Sequence, residues 1–588
     1  MRYIKSYNNT ADLRTDLDAG ELGHPYVAKV NNTIDFDSIS TNWENEYFTI
    51  IALTDGTISY SHKKGSNPMF FSINEGEWIE TTFSLEIPVA TNDMIRFKSN
   101  RGNQAYDNNK GTFTSGCTAQ FAVAGNLMSL VAGDGFATYV PYTSATGSNG
   151  DLYRSFRYFF KYCTGLISAK NLIIKYCDNY AFREFFNGCT NLLMPPELPA
   201  TTLANYCYQN MFQNCTKLTT APKLPATQLA KSCYQNMFNG CTSLTKAPNL
   251  NATTLVDYCY NSMFRDCTSL TTAPELPATD LASECYSGMF YGTNVLPDCS
   301  NIDFASSTVV ASGGLKGLFS GTKVTDNDLE RLLPKNDNGR YYLPATTLAN
   351  NCYDNMFYKC TSLTAAPELP VTTLAPGCYY SMFRGCTSLT AAPELPATTL
   401  ASNCYNNMFS GTNVLPDCSN IDFASSTVVA SGGLQGLFAG TKVTDNDLER
   451  LLPKNDNGRY YLPVTTLANA CYSQMFSNCT SLTTAPVLPA TTLAQSCYAN
   501  MFLGCTSLTT APELPATTLA QSCYRDMFYN CTSLNHIKCL ATNISASLCT
   551  SNWVGGVAST GTFVKASSMA SWTTDTNGIP TGWTVIDA

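Results

Sequence analysis

The sequence predicts a mixed β fold with short helices: an N-terminal all-β, sandwich-like domain, then a solenoid of about 14 coils with a C-terminal cap. Three observations predict it. A 26-residue pattern recurs through the middle of the 588-residue chain, β-rich runs precede it, and all five tryptophans lie outside it. A short fixed period is typical of stacked repeats, whose terminal repeats need different, capping sequences.

The period and the composition divide the chain into four segments. We expect a separate N-terminal segment, a β-sandwich-like domain, the repeat array and a C-terminal cap, at residues 1–40, 41–150, 151–540 and 541–588. Two nearly identical inserts interrupt the array, at residues 294–349 and 413–468.

The β-sandwich prediction rests on runs of β-branched and aromatic residues that begin near Phe48, Thr57, Trp78 and Met94. Turn sequences such as Asp55-Gly56 separate these runs. Short strands between tight turns are typical of a small antiparallel sandwich.

The repeat unit reads C-Y-x-x-M-F-x-x-C-T-S-L-T-x-A-P-x-L-P-A-T-T-L-A-x-x. The apolar spacing in its first half is compatible with a helical turn. The proline in its second half restricts the backbone, so any strand there is short. We therefore expect each coil to contain a short strand, a turn, a short helix and a return.

The repeat places two cysteines eight residues apart, and the same position in successive coils stacks into a ladder. The N-terminus lacks a secretory signal, so we expect folding in a cytoplasm and reduced thiols. Buried cysteine then acts as a small apolar residue, with disulfides and zinc sites as the weaker alternatives. The ladder residues are Cys207, Cys215, Cys233, Cys241, Cys259, Cys267, Cys352, Cys360, Cys378, Cys386, Cys471, Cys479, Cys497, Cys505, Cys523 and Cys531.

The composition argues against several function classes. Lys and Arg total 35 against 44 for Asp and Glu, without a basic stripe, so we expect no nucleic-acid partner. No run of 18 apolar residues predicts a membrane span. Three histidines leave little scope for His-based catalysis or metal binding, and we predict no catalytic residue, no metal and no cofactor.

Two clusters of potential ligand or catalytic side chains have a structural alternative. Asp326, Asp328 and Glu330, like their counterparts in the second insert, begin a short helix, where acids offset the helix dipole. Capping is favoured over a catalytic carboxylate pair or calcium. Likewise, the sequence from His536 to Cys539 favours closure of the core over a metal site.

Ligand binding must use positions that vary between repeats, since the fixed positions form the core. The first residue after M-F varies, and Tyr and Arg are enriched at binding hot spots. We predict a binding ridge formed by Arg265, Tyr291, Tyr358, Arg384 and Tyr529. The residue after Ala-Pro forms a second, mostly acidic row. Plain solvated surface is the alternative for both rows, and carbohydrate is the ligand class that suits them.

The repeat resembles the BspA-type leucine-rich repeat, whose pattern is A-F-x-x-C-x-x-L-x-x-I-x-L-P. Here the pattern becomes Met408-Phe409 and its analogues, with C-T-S-L-T and A-P-E-L-P both following the M-F pair in four repeats. The resemblance covers about two-thirds of the chain and implies a leucine-rich-repeat solenoid. It also implies a surface adhesin that binds host proteins or other cells. The chain departs from the family in its 26-residue period and in Ala-Pro at the strand.

Residues 1–40 resemble the start of virion fibre proteins of phages that infect Bacteroidales, in stretches that begin at Tyr3, His24 and Thr33. The tail from Trp553 to Trp583 resembles the ends of repeat proteins of gut Bacteroidales and their phages. The resemblance implies that residues 1–40 attach the fibre to other virion proteins; an ordinary N-terminal strand pair of the sandwich is the alternative.

The sequence therefore predicts a non-enzymatic phage virion fibre or appendage, assembled in the host cytoplasm, which adheres to the bacterial host or to a mucosal surface. Its partners would be other virion proteins and a host-surface glycan or protein, without membrane insertion. A homotrimer is compatible with a fibre. The alternatives are a BspA-type adhesin on the bacterial cell surface and, third, a polysaccharide depolymerase.

Overall fold

The computed structural model describes residues 4–7, 27–30, 33–39, 43–61, 69–81, 84–99, 111–113, 115–141, 152–278, 280–294, 311–343, 345–397, 399–413, 430–462, 464–569 and 572–588. The chain forms two compact units. The first comprises Met1–Ala278 and Gly292–Pro297, and the second Thr279–Tyr291 and Asp298–Ala588. The predicted mixed β class with short helices is confirmed in both.

The described residues of the first compact unit form twelve strands. They are β1 Ile4–Tyr7, β2 Val27–Val30, β3 Thr33–Ile39, β4 Phe48–Ala52, β5 Gly56–Ser61, β6 Met69–Ile73, β7 Ile79–Thr81, β8 Leu85–Val89, β9 Met94–Ser99, β10 Thr112–Phe113, β11 Phe121–Asn126 and β12 Leu166–Ile173. They form sheets of order β1-β2-β3, β10-β5-β8 and β12-β11-β4-β9-β6-β7. Residues 1–40, predicted to attach the fibre, are described only at the backbone of β1–β3.

The sheet β10-β5-β8 packs on the six-stranded sheet through aromatic side chains. Phe113 of β10 lies 5.6 Å from Phe97 and 6.1 Å from Phe48, between ring centroids, and these strands belong to different sheets. All three rings are fully buried. The pairs therefore join the two layers, in the manner of a sandwich.

The six-stranded sheet also takes in the first part of the repeat array. Strand β12 pairs in parallel with β11, from Phe121 against Leu166 to Asn126 against Ile173. A four-residue helix, α1 (Ser129–Ala132), follows β11, and 3₁₀ turns occupy Trp43–Asn45 and Gly133–Gly135.

The C-Y-x-x-M-F half of the repeat is a run of turns, and the predicted short helix there is wrong. Alternate N–H groups have different partners: Met211 donates to the Tyr208 carbonyl three residues back (3.1 Å), whereas Tyr208 donates to Cys233 of the next repeat (3.1 Å). Helical i→i−4 bonds are therefore replaced by β-turn bonds within a repeat and ladder bonds between repeats.

Every fourth residue of this run has a left-handed backbone. In one repeat these are Asn210 (φ 58°) and Asn214 (φ 60°), and in the next Asn236 (φ 54°) and Gly240 (φ 76°). Left-handed φ strains most L-residues but suits Gly and Asn. The recurrence of Gly, Asn, Ser and Asp at four-residue spacing is the sequence signal for this geometry.

The second half of the repeat is extended and contributes single parallel bridges instead of strands. Lys246 bridges Thr220 of the preceding repeat and Thr272 of the following one, and Ala365 bridges Ala391 in the second compact unit. The predicted shortness of these strands is consistent with the proline that follows them closely.

The fixed positions of the repeat stack in the core. Phe212, Phe238 and Phe264 lie 5.6 and 5.7 Å apart with nearly parallel rings, and Tyr353 lies 5.9 Å from Tyr379. Aromatic pairs at such distances stabilise beyond their burial by roughly 0.5–1.5 kcal/mol. The aromatic rows therefore hold successive repeats in register.

The second compact unit adds two helices and a parallel sheet. Helices α2 (Asp326–Leu332) and α3 (Leu448–Leu451) lie in corresponding places of the two inserts. Strands β13 (His536–Cys539), β14 (Thr562–Lys565) and β15 (Thr584–Asp587) form a sheet in that order.

Tryptophan ends the aromatic rows of the second compact unit. Trp553 is fully buried, and its ring stacks 6.2 Å from that of Tyr524. The Trp572 ring also stacks on that of Trp553, with 5.7 Å between the ring centroids. The larger indole rings thus cover the last repeat, as a cap must.

Candidate binding surfaces

The predicted ridge residues lie on the surface to different degrees. Arg265 and Arg384 are exposed, whereas Tyr291, Tyr358 and Tyr529 are half-buried. Arg265 belongs to the first compact unit and the other four belong to the second. All five side chains are therefore at least partly accessible, the two arginines more than the three tyrosines.

Within the second compact unit, Tyr358 and Arg384 are neighbours. The N–H of Lys359, next to Tyr358, donates to the Arg384 carbonyl at 2.8 Å, so the two residues occupy the same position in adjacent repeats. The Lys359 ammonium lies 5.2 Å from the Tyr358 ring centroid. This pair is the part of the predicted ridge that the structure brings together.

The rest of the ridge is interrupted. The ladder bonds place Ser320 between Tyr291 and Tyr358, while small or apolar residues separate Arg384 from Tyr529. The intervening residues are Ser410, Ala439, Ser477 and Leu503. A ligand spanning all these positions would meet clustered rather than uniform contacts.

The second residue after M-F varies for a backbone reason. Lys359 (φ 57°), Gly385 (φ 73°), Gly411 (φ 73°) and Asn530 (φ 61°) all have left-handed conformations. The choice of residue at this position therefore meets a conformational demand, and its variation is weak evidence for ligand specificity.

Part of the acidic second row is already paired within the protein. Glu368 contacts the guanidinium of Arg340 at 3.0 Å and accepts a hydrogen bond from the Asn336 amide at 2.6 Å. Glu513 similarly contacts the Lys538 ammonium at 2.8 Å. These carboxylates fix neighbouring segments, which reduces their availability to a ligand.

The acids of the inserts also serve the fold. The Asp328 carboxylate accepts the Thr325 N–H at 2.9 Å at the start of α2, which confirms the capping prediction for this residue. Asp326 instead accepts the N–H groups of Thr364 and Ala365 in the next repeat, both at 3.0 Å.

Asp445 repeats this arrangement in the second insert. It accepts N–H bonds from Thr483 (2.9 Å) and Thr484 (3.1 Å). Although burial alone would raise it, these hydrogen bonds hold the pKa of Asp445 below its ordinary value. The charged carboxylate thus joins the insert to the following repeat.

All the predicted ladder cysteines are buried thiols. The second cysteine of the repeat donates a hydrogen bond: Cys215 Sγ donates to the Phe186 carbonyl at 3.1 Å, and Cys386 Sγ donates to the Phe357 carbonyl at 2.9 Å. Burial raises the pKa of Cys267 and Cys360 to about 12. These thiols are therefore protonated donors between repeats.

A group of three or more His, Cys, Asp or Glu side chains arranged to hold a metal is not found in the part of the chain that the structure describes. His536 and Cys539 lie in strand β13, whose N–H and carbonyl groups pair with β14. His24 and His62 lie outside the described residues.

The first compact unit carries an aromatic and cationic surface that we did not predict from the sequence. The rings of Tyr180 and Tyr206 stack at 4.5 Å, and the Arg154 guanidinium lies 5.1 Å from the Tyr180 centroid. Tyr158, Tyr180 and Tyr206 have left-handed backbones, where later repeats mostly place smaller residues. Tyrosine at positions that are mostly small in later repeats is the sequence feature from which this surface could have been predicted.

No described helix is long and apolar enough to cross a membrane. Comparisons of the chain with models of known protein families, with curated proteins and with solved structures find no match.

Proposed function

We propose that this chain is a non-enzymatic adhesive protein, built as a leucine-rich-repeat solenoid of about 14 coils. The observation that carries the proposal is the ladder of bonds between repeats. The Gly321 N–H donates to the Tyr358 carbonyl and the Lys359 N–H to the Arg384 carbonyl, so each bond ends one residue before the equivalent position of the next repeat. Such a register repeats one surface position along the stack, so variable side chains form a row over a fixed core.

The row suits adhesion better than a single tight site. On adjacent repeats, Tyr358 supplies an amphipathic ring and Arg384 supplies a guanidinium with several N–H donors. Many copies on one particle would convert weak individual contacts into firm attachment. We therefore assign the chain to a virion fibre or appendage that adheres to a bacterial host or mucosal surface, with residues 1–40 as its attachment to the particle.

A triple variant tests the adhesive row. Purified full-length protein carrying Tyr291→Ala, Tyr358→Ala and Arg384→Ala should bind host cells at least tenfold more weakly in flow cytometry, because hot-spot truncations typically cost 2 kcal/mol or more. Ser410→Ala, in the same row, is the matched control and should leave binding intact. Equal binding by the triple variant and the control would overturn the assignment of this row.

A further inference from the structure

A groove opens between two adjacent repeats of the first compact unit. Its volume is about 360 Å³, and it is lined by residues 220–225, 246–249 and Asn251. Thr220 and Lys246 form a parallel bridge, which fixes the two repeats side by side at this point. The volume falls within the roughly 300–1,000 Å³ of small-molecule sites.

Two lysines in the groove depart from the repeat pattern. Lys223 occupies the position after Ala-Pro, where Glu197, Glu275 and several other repeats have glutamate. Lys246 occupies a position that is Thr or Ala in the other repeats that contain the Ala-Pro step. The two changes fall in different repeats, yet both lysines line this groove and both are exposed.

Two asparagines add hydrogen-bonding groups at the same place. Asn249 replaces the usual glutamate, and Asn251 replaces the proline found at that position in the other A-P-x-L-P repeats. The Asn251 amide donates to the Leu224 carbonyl across the groove at 3.3 Å. The four residues that differ from the repeat pattern, Lys223, Lys246, Asn249 and Asn251, therefore line one groove. Each of these differences removes a negative charge, adds a positive charge or adds an amide group.

The recurring residues form an apolar floor beneath these polar groups. Pro222 and Pro248 come from the Ala-Pro step of each repeat, and Leu224 of the same lining is buried. Elsewhere in the array a glutamate beside the same proline would repel an anion. Here two ammonium groups replace that repulsion with attraction, on a chain whose net charge is −9.

We propose that this groove binds an acidic saccharide, with its carboxylate between Lys223 and Lys246. The apolar face of the sugar ring would lie on Pro222 and Pro248, and its hydroxyls would meet the Asn249 amide. Lysine is a suitable point charge for a carboxylate, and a mixed apolar and polar lining suits a ring bearing hydroxyls. The inference deepens the proposed adhesive function by naming a ligand class for one place on the array.

Calorimetric titration of the full-length protein with trigalacturonic acid tests the site. We expect saturable binding that weakens with salt, and a loss of at least fivefold in affinity for each of Lys223→Gln and Lys246→Gln. Lys217→Gln is the matched control, because Lys217 is an exposed lysine of the same array with the same charge that does not line the groove. Thermal melts establish that each variant is folded.

The outcomes separate the site from the general function. Loss of affinity in both groove variants supports the site, provided that Lys217→Gln binds as the wild type does and that the uncharged methyl ester of trigalacturonic acid does not bind. Equal affinity in Lys217→Gln and Lys223→Gln, or equal affinity for inorganic phosphate, would overturn it. Cell binding by the wild-type protein is scored separately, so its absence would refute the adhesive function while the titration still decides the groove.

Discussion

Gly411 offers a direct test of the turn geometry that replaces the predicted helix. Its φ is 73°, and an added Cβ would lie 3.9 Å from the nearest atom, Gly385 Cα, which is an ordinary contact. Gly411→Ala therefore isolates the backbone cost. Left-handed φ costs an L-residue about 1–2 kcal/mol. The stiffer unfolded chain offsets about 0.4–1 kcal/mol of this, so the difference between the midpoints of the two ranges gives an expected net loss of about 0.8 kcal/mol.

The sign of the effect distinguishes the two geometries. In a helix, replacing glycine by alanine would increase stability by about 1 kcal/mol. Urea unfolding followed by tryptophan fluorescence and circular dichroism measures the difference. Gly411→Asn should lose less than Gly411→Ala, because asparagine tolerates left-handed φ. Gly135→Ala, at an open position without left-handed φ, is the second control. A midpoint for Gly411→Ala at or above that of the wild type would refute the turn geometry.

Four further predictions address the core and the inserts. Iodoacetamide at pH 8 should leave Cys360 unmodified in the native protein and modify it in urea, read by peptide mass spectrometry, because burial raises its pKa to about 12; rapid native labelling would contradict this. Tyr379→Phe should not lower the melting temperature, since the buried hydroxyl finds no hydrogen-bond partner among the described residues. Phe383→Ala should cost about 3–5 kcal/mol. Because the pKa of Asp445 is lowered in the folded protein, its charged carboxylate stabilises the fold fully above about pH 5, and this stabilisation is lost as pH falls through that pKa. Asp445→Asn should therefore reduce the free energy of unfolding at neutral pH. It should also make the urea midpoint vary less with pH between pH 2 and 6.

The periodicity was sufficient to predict which side chains are buried. Cys207, Phe212 and Cys215 recur at fixed positions, and a residue that recurs in every repeat must meet its own copy when repeats stack. Hydrophobic runs likewise predicted strands β4 and β9 of the N-terminal sheet. These features follow from local sequence and from translation by one repeat.

The backbone path within the repeat did not follow from hydrophobic spacing. Apolar residues at Tyr208, Met211 and Phe212 suit a helical turn, but their N–H groups alternate between partners inside and outside the repeat. The informative residues were the intervening Asn210 and Asn214, whose left-handed φ closes successive turns. Pairing of β11 with β12 was also unpredictable, because it joins segments with different patterns.

Candidate binding residues were predictable only as a row. Variation placed Tyr358 and Arg384 on the surface, but which row members adjoin one another depends on how the inserts add repeats between them. The groove at Lys223 and Lys246 required the structure, because its two lysines are 23 residues apart and meet through repeat stacking.

Immunogold labelling of a producing culture, with an antibody against the repeat array, tests the central claim most directly. The account predicts gold on phage particles, which would make the chain a virion component and residues 1–40 its attachment segment. Gold confined to the bacterial envelope, with unlabelled particles, would contradict the fibre assignment and favour a cell-surface adhesin.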